Sequence, residues 1–502
     1  MLNIHSYVSV LMMFLFFSCG HLPANIIISE KPDSRFLNVA DKYSDFYSQE
    51  LRQIYIRRDR IKIGPKEEIV GLALSGGGVR ANAFNLGLMS ALNAVTRKNK
   101  QIKMETNSIS YLQRIDYISS VSGGSWSSAA YIAYPNEDSK LFDCLDSFAL
   151  FGNEGGSQQD PCEEIQRRLR LTQYTAYSGG RWKEDILKYS MPEFTDFTIN
   201  KLYDRNGFAE KRPYPIFNTT HSVPFFEENY NKAKHYPFEF TPFGFGTDMD
   251  CGNTNDDCKK WGIRTNQDKK GIFTNSYLTF QKKNIFGIKS DIQFSDILRA
   301  SSAFLNLTLG ITIHSNVQKD ERVRDEYTLS DGGKSDNLGL FSLVVRNVPT
   351  IIVTDIGNYS YENFNMYEDI RTTLKIIETR LGVTIDIEKV NYQNVPVIQF
   401  EYKLLDRKNG AVGKIFYVKP MVTEKFYTLI SKCKKSGKSV DPDLLKLFKN
   451  SRKYFPNDVT VDLEYEEERV RLYYLLGRII GTPLYDIMNL KSSDWKNEAL
   501  CK

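Results

Sequence analysis

The stretch "RIDYISSVSGGSWSSAAYIA" (114–133) runs from a nearly continuous apolar segment, through Ser122-Gly123-Gly124, into a helix-like pattern. A strand apolar on both faces belongs inside a parallel sheet covered by helices. A serine at a sharp strand-to-helix turn has its hydroxyl pushed out at the carboxyl edge of that sheet, which is the geometry of a nucleophile elbow. The usual elbow reads GxSxG, and here Ser120-Val121-Ser122-Gly123-Gly124 places a serine first.

The architecture recurs upstream in "LALSGGGVRANAFNLGLMSAL" (72–92). An apolar strand enters Gly76, Gly77 and Gly78 and continues as a helix with Phe84, Leu88 and Leu92 on one face. Glycines at this junction turn the backbone tightly and leave N–H groups beside a helix N-terminus, a place for a phosphate or an oxyanion. The spacing fits the dinucleotide pattern GxGxxG poorly, and a purely structural tight turn is the competing account. Further apolar strands, "IVGLALS" (69–75), "YTLSDGG" (327–333) and "TIIVTDIG" (350–357), complete an α/β pattern, a mostly parallel sheet sandwiched by helices.

A serine hydroxyl is a weak nucleophile until a base accepts its proton. "TLSDGGKSDNLGLFSLVV" (328–345) offers one, because Asp331 ends an apolar strand and precedes two glycines, which puts its carboxylate at the same sheet edge. Taken alone, Asp-Gly-Gly is a common turn.

The chain's 502 residues, 41% hydrophobic and 13% aromatic, suffice for a substantial core. Its 66 basic and 61 acidic residues leave +5, too mild an excess for a nucleic-acid binder. Basic runs at 166–170 and 432–438 could favour an anionic membrane surface, although a solvated face is the simpler account. Residues 133–293 are aromatic and irregular, with strand-like pieces such as "YPIFNTT" (214–220) and "HYPFEFTPF" (235–243), and are expected to form a cap inserted over one edge of the sheet. Residues 20–65 read as a tether with a helix near 44–61, residues 66–484 as the catalytic region with a helical end from 443, and 485–502 as a tail.

The N-terminus carries an apolar run from Val8 to Phe17 broken only by Ser9, then Ser18-Cys19-Gly20. That is the length of a signal-peptide core and too short to span a bilayer. The small residue before Cys19 resembles a bacterial lipoprotein signal. The expectation is an exported protein, lipidated at Cys19 and anchored to a membrane facing the periplasm or cell surface; an uncleaved anchor is the alternative. Six cysteines remain, with 15 possible connectivities. Neighbour pairing is expected, Cys144 with Cys162 and Cys251 with Cys258, each pair flanking a polar loop. No CxxC motif or nearby histidine suggests a metal site.

Taken together, "SGGGVR", "SVSGGSW" and "DGGKSDN", in this order, resemble the patatin-like phospholipases and the related catalytic domain of cytosolic phospholipase A2. "FEFTPFGFG" (238–246), "RASSAF" (299–304) and the tail 454–477 are similar to further segments of these families. The resemblance spans residues 66–482 in pieces and implies a patatin-like fold related to the α/β-hydrolases. It implies Ser122 as nucleophile and Asp331 as general base, a dyad without histidine and without cofactor. It also implies oxyanion donors from Gly76, Gly77 and Gly78, with Arg80 near the oxyanion loop or on a lipid phosphate. The expected activity is hydrolysis of acyl esters of phospholipids or lysophospholipids at a membrane surface. A Ser-His-Asp triad drawing on His21, His221, His235 or His314 is a variant, and a non-catalytic surface lipoprotein that keeps the fold for binding is the alternative from another class.

Overall fold

The structure, a computed structural model, describes residues 24–28, 39–64, 67–94, 96–98, 108–132, 138–152, 212–223, 234–242, 244–247, 278–279, 294–302, 311–315, 325–357, 367–381, 396–403, 412–422, 424–435, 438–450 and 465–481, with a few isolated positions between them. Cys19, His21, and the Cys251 and Cys258 expected to pair lie outside the described residues, as do 1–19 and all of the expected tail, 485–502.

In chain order the elements begin with β1 (Ala24–Ile28), α1 (Val39–Arg60), β2 (Val70–Leu74) and α2 (Gly78–Ala94). A small hairpin, β3 (Thr96–Lys98) with β4 (Ser108–Ser110), leads to β5 (Tyr117–Val121), α3 (Gly123–Ile132) and α4 (Asp138–Phe151). Next come β6 (Tyr214–Val223), β7 (Lys234–Thr241), β8 (Gly244–Thr247), β9 (Leu278–Thr279) and α5 (Phe294–Ser301). The chain continues through β10 (Ile311–Ser315), β11 (Asp325–Asp331), α6 (Gly333–Asp336), α7 (Phe341–Val345), β12 (Thr350–Thr354) and α8 (Glu368–Leu381). It ends with β13 (Val397–Lys403), β14 (Val412–Val418), α9 (Glu424–Lys432), β15 (Lys434–Lys435), β16 (Lys438–Ser439), α10 (Pro442–Asn450) and α11 (Glu467–Ile480).

The main sheet has the order β1-β10-β11-β6-β5-β2-β12-β14-β13, with β7, β8 and β9 added beyond β6. Its centre, β6-β5-β2-β12-β14, is wholly parallel. Every residue of β2 and β5 is buried, which is why both read as unbroken apolar runs. The chain leaves β2 for β5 on one side and returns to β12 on the other, so the carboxyl ends of these strands form a switch point where α/β sheets place their ligands.

Two expectations need correction. β11, expected among the parallel strands, runs antiparallel to both β10 and β6. The span 133–293, expected as a cap, supplies β6 to β9 to the sheet and the buried helix α4 to the core. The strand-like pieces at 214–220 and 235–243 are β6 and β7, and the Gly, Pro and aromatic residues around them hid that they belong to the main sheet.

One face is covered by α2 and α11, which cross with backbones touching. A Cβ added at Gly87 would lie 1.9 Å from the Tyr474 carbonyl oxygen, and one at Gly477 would lie 2.0 Å from that of Phe84. The amino ends of the strands are closed by α1. There Arg58 donates to the buried Asp116 carboxylate at 2.8 and 2.6 Å, and Asp116 also accepts from the Val70 N–H at 2.9 Å. Arg346 joins Glu50 of α1 to Glu239 of β7 in a second buried ion-pair set. The Cys144–Cys162 disulfide ties α4 to the following segment, and Cys433 is also disulfide-bonded. No helix among the described residues is long and apolar enough to cross a membrane.

Candidate active site

β5 runs parallel to β6 and ends with Val121 opposite Asn218. β11 runs antiparallel to β6 on the same edge and ends with Asp331 opposite Thr219. The two strands therefore meet head to head, and the turn that follows one abuts the last residue of the other. Ser122 Oγ donates to Asp331 Oδ2 at 2.8 Å.

Ser122 has φ +49°, in the left-handed region that a side chain adopts only under constraint. Several contacts hold it there. Its N–H donates to Ser301 Oγ at 3.0 Å, and that hydroxyl donates to the Asn218 carbonyl at 2.7 Å and lies 2.8 Å from Ser125 Oγ. Trp126 Nε1 donates to Ser302 Oγ at 2.6 Å, fixing α3 to the end of α5. Ser120, where the usual elbow has glycine, is buried in β5 and donates to the Ile216 carbonyl. The side chain of Asn218 reaches Ser119, the Ser120 carbonyl and Ser342, bracing the elbow from β6.

Asp331 is 2% exposed, and burial pushes its carboxyl up to about 6. Hydrogen bonds from the Gly333 N–H (2.7 Å to Oδ1) and from Ser122, with the charge of Lys334, pull the other way. A carboxyl poised near neutrality can both take and return a proton.

The glycine loop packs directly on this elbow. A Cβ at Gly123 would meet the Gly78 carbonyl oxygen at 2.1 Å, and one at Gly76 would lie 3.1 Å from Ser122 Cβ. Gly77 and Gly78 have φ +138° and +64°, and Gly78 opens α2, so its N–H has no acceptor within the helix. Gly76 differs from the other two, because its N–H donates to the Asn337 carbonyl at 2.9 Å. The loop is fastened by Ser75, which takes a Thr354 hydroxyl as acceptor for its N–H and accepts the Ile356 N–H on its own hydroxyl, both at 2.9 Å. Ser122, Gly78, Gly333, Lys334 and Asn337 keep partial exposure amid buried neighbours, so solvent reaches the site between these residues.

Arg80 is fully buried in the first turn of α2, where its charge acts on Lys419. Among the histidines, His221 is buried on β6, while His235 on β7 is only partly covered, and that partial burial and the charge of Lys334 lower its pKa. His314 lies on β10. The partner of the Ser122 hydroxyl is the Asp331 carboxylate and not an imidazole. Sequence reasoning missed Ser301, Asn218, Thr354 and Asn337. Of these, Ser301 and Asn337 lay inside the family motifs and Thr354 inside the strand "TIIVTDIG" (350–357), but nothing in such a stretch says which polar residue turns inward.

Comparisons with known proteins bear on the family and the fold. The family model for the Patatin-like phospholipase domain matches residues 72–352, more than half of the chain. The human GIVD cytosolic phospholipase A2 superposes with a TM-score of 0.53 at 12% identity, over 90% of this chain and 64% of that one. The same human protein in complex with methyl gamma-linolenyl fluorophosphonate and terbium chloride gives 0.47, at 12% identity over the same shares of the two chains. Such identity bears on the fold alone, and the chain spans less than two thirds of that protein's length. No curated protein matches by sequence. With the three glycine-bearing motifs gathered at one sheet edge and the family model running from β2 into β12, the chain belongs to the patatin-like phospholipase family.

Proposed function

We propose that the protein is a serine acyl-ester hydrolase acting on phospholipids or lysophospholipids through Ser122 and Asp331. The observation that carries this reading is the 2.8 Å hydrogen bond from the strained Ser122 hydroxyl to a buried carboxylate. Asp331 takes the Ser122 proton as the oxygen attacks the acyl carbonyl, and the carbonyl electron pair moves onto its oxygen. The N–H groups of Gly77 and Gly78, at the positive end of α2, stabilise that oxyanion. Collapse expels the alcohol portion of the lipid, which takes the proton from Asp331 and leaves the acyl group on Ser122. Asp331 then removes a proton from water, the hydroxide attacks the acyl-serine, and fatty acid leaves as the proton returns to Ser122.

Arg80, buried behind the loop, is assigned to supporting the oxyanion loop rather than to gripping a phosphate from solvent. Access to an insoluble substrate is assigned to Cys19: export followed by acylation would hold the catalytic region at a membrane surface, and stable anchoring needs more than one acyl chain.

The test is hydrolysis of defined phospholipids and a soluble short-chain ester by the wild type, Ser122→Ala, Asp331→Asn and the double variant. Each single change should abolish turnover, and the double should be no worse than either. A folded His221→Ala or His235→Ala protein without activity would replace the dyad by a triad. Mass spectrometry of the mature N-terminus should find lipid on Cys19. An unmodified cysteine within an intact N-terminus would remove the anchor and leave the chemistry in place.

A further inference from the structure

Behind the glycine loop lies a buried polar assembly that the dyad chemistry does not use. Asn337 stands at its front, held between the two turns of the site. Its backbone carbonyl accepts the Gly76 N–H at 2.9 Å. Its Oδ1 presses on both turns: a Cβ at Gly76 would lie 2.3 Å from it, and one at Gly333 would lie 2.8 Å away. Its Nδ2 donates to Asp369 Oδ2 of α8 at 2.6 Å. An ionised carboxylate only accepts hydrogen bonds, so Asp369 dictates which end of the Asn337 amide faces the loop.

The assembly extends to the rear. Asp369 Oδ2 lies where a Cβ of Gly357 would sit, 2.0 Å away. The neighbouring Asp355 accepts from the Gly357 N–H at 3.1 Å, from Lys419 Nζ at 3.2 Å, and from the Tyr417 hydroxyl. The buried carboxylate of Asp355 and the partly buried one of Asp369 thus sit with the buried cation of Lys419, on which Arg80 of α2 acts in turn.

Resting on the proposed hydrolase reading, we infer that Asn337 and Asp369 are positioning residues. Asn337 sets the spacing between the oxyanion loop and the turn that carries the base, and Asp369 locks the Asn337 amide in the orientation that does so. A displacement of the reacting groups by about 1 Å costs on the order of 100-fold in rate, so a strut touching both turns acts on kcat more than on lipid binding.

The same contact gives a signature that a merely structural role would not produce. Burial, followed by the Asp355 charge and that of Glu368 on its own helix, raises the Asp369 carboxyl to about 6, against the Asn337 hydrogen bond and Lys419. Protonated Asp369 can donate, and the Asn337 amide is then free to turn over. With Asp331 titrating in the same range, the acid limb of kcat against pH should fall with a slope approaching two protons, and with one in Asp369→Asn.

The experiment compares steady-state hydrolysis of a soluble ester from pH 5 to 8 by the wild type, Asn337→Ala, Asp369→Asn, their double variant and Ser122→Ala. Losses in kcat of about tenfold or more, KM within about twofold, a double variant no worse than Asn337→Ala and a one-proton acid limb in Asp369→Asn would support the inference. Wild-type kcat and an unchanged acid limb in Asp369→Asn, with Ser122→Ala inactive, would overturn it and leave the dyad standing. An active Ser122→Ala protein would overturn the hydrolase reading itself, and the inference with it. If Asn337→Ala does not fold, the near-isosteric Asp369→Asn carries the test alone.

Discussion

Val121 and Asp331 meet on one edge of β6, paired with the consecutive residues Asn218 and Thr219 from opposite directions. The meeting of the proposed nucleophile and base is therefore a matter of strand register. Because side chains alternate across a strand, a slip of one residue in β11 would turn Asp331 to the other face.

The raised carboxyl of Asp331 sets the pH dependence of both activity and stability. As a general base it must be ionised, so kcat/KM should fall as the pH drops through about 6. Its proton is bound more tightly in the folded chain than in the unfolded one, where the value is 3.8. The stability this contributes is fully present below about 4 and is lost as the pH rises through about 6, on the order of 3 kcal/mol in all. Asp331→Asn should therefore melt close to the wild type at pH 4 and a few degrees above it at pH 8. A variant that is less stable at pH 8 would contradict this assignment.

Ser301 holds the strained backbone of the elbow. Ser301→Ala removes the acceptor of the Ser122 N–H and the partner of the Asn218 carbonyl. The expected result is a loss of about 10- to 100-fold in kcat with a stability cost of about 1–3 kcal/mol, measured by ester hydrolysis and thermal unfolding. Unchanged kcat would show that the elbow keeps its shape without the clamp.

Gly77 is the most exacting position of the oxyanion loop. A methyl there would lie 2.6 Å from the Ile356 carbonyl oxygen, on a backbone with φ +138°. Gly77→Ala should displace the loop and reduce turnover by roughly 100-fold or more, as loss of an oxyanion donor does. A folded Gly77→Ala enzyme with wild-type turnover would remove the loop from the mechanism.

The crossing of α2 and α11 makes a prediction about stability alone. Gly87→Ala and Gly477→Ala each force apart backbones in van der Waals contact, with an expected cost of roughly 2–4 kcal/mol. Denaturant unfolding should show the loss, while the folded fraction keeps normal kcat.

The fold class was legible because β2 and β5 are buried on both faces and show it as unbroken apolar runs. Ser122, Asp331 and the glycines were legible because close backbone approach and left-handed φ leave few substitutes for glycine. "YPIFNTT" (214–220) was legible as a strand-like piece, but not as part of β6, the sheet strand on which Ser122 and Asp331 meet. "YPIFNTTHSV" mixes Pro, Asn, Thr and His, and two of its polar members, Asn218 and Thr220, bond sideways to Ser119 of β5 and Ser335 of α6. The direction of β11 was hidden for another reason, since a short apolar strand reads the same whether it is parallel or antiparallel. Asp369 carried no signal at all, lying on α8 outside every motif.

The head-to-head meeting of β5 and β11 also bears on when the proposed activity can arise. Ser122 and Asp331 are 209 residues apart in sequence, and the first strand, β1, pairs with β10 near residue 311. Contacts of such separation form late, after their loop-closure entropy has been met. A chain emerging from the ribosome, or threaded across a membrane as proposed, exposes its serine long before its aspartate arrives. During that interval Ser122 lacks its carboxylate partner, so the proposed nucleophile stays inactive until β11 has paired with β6.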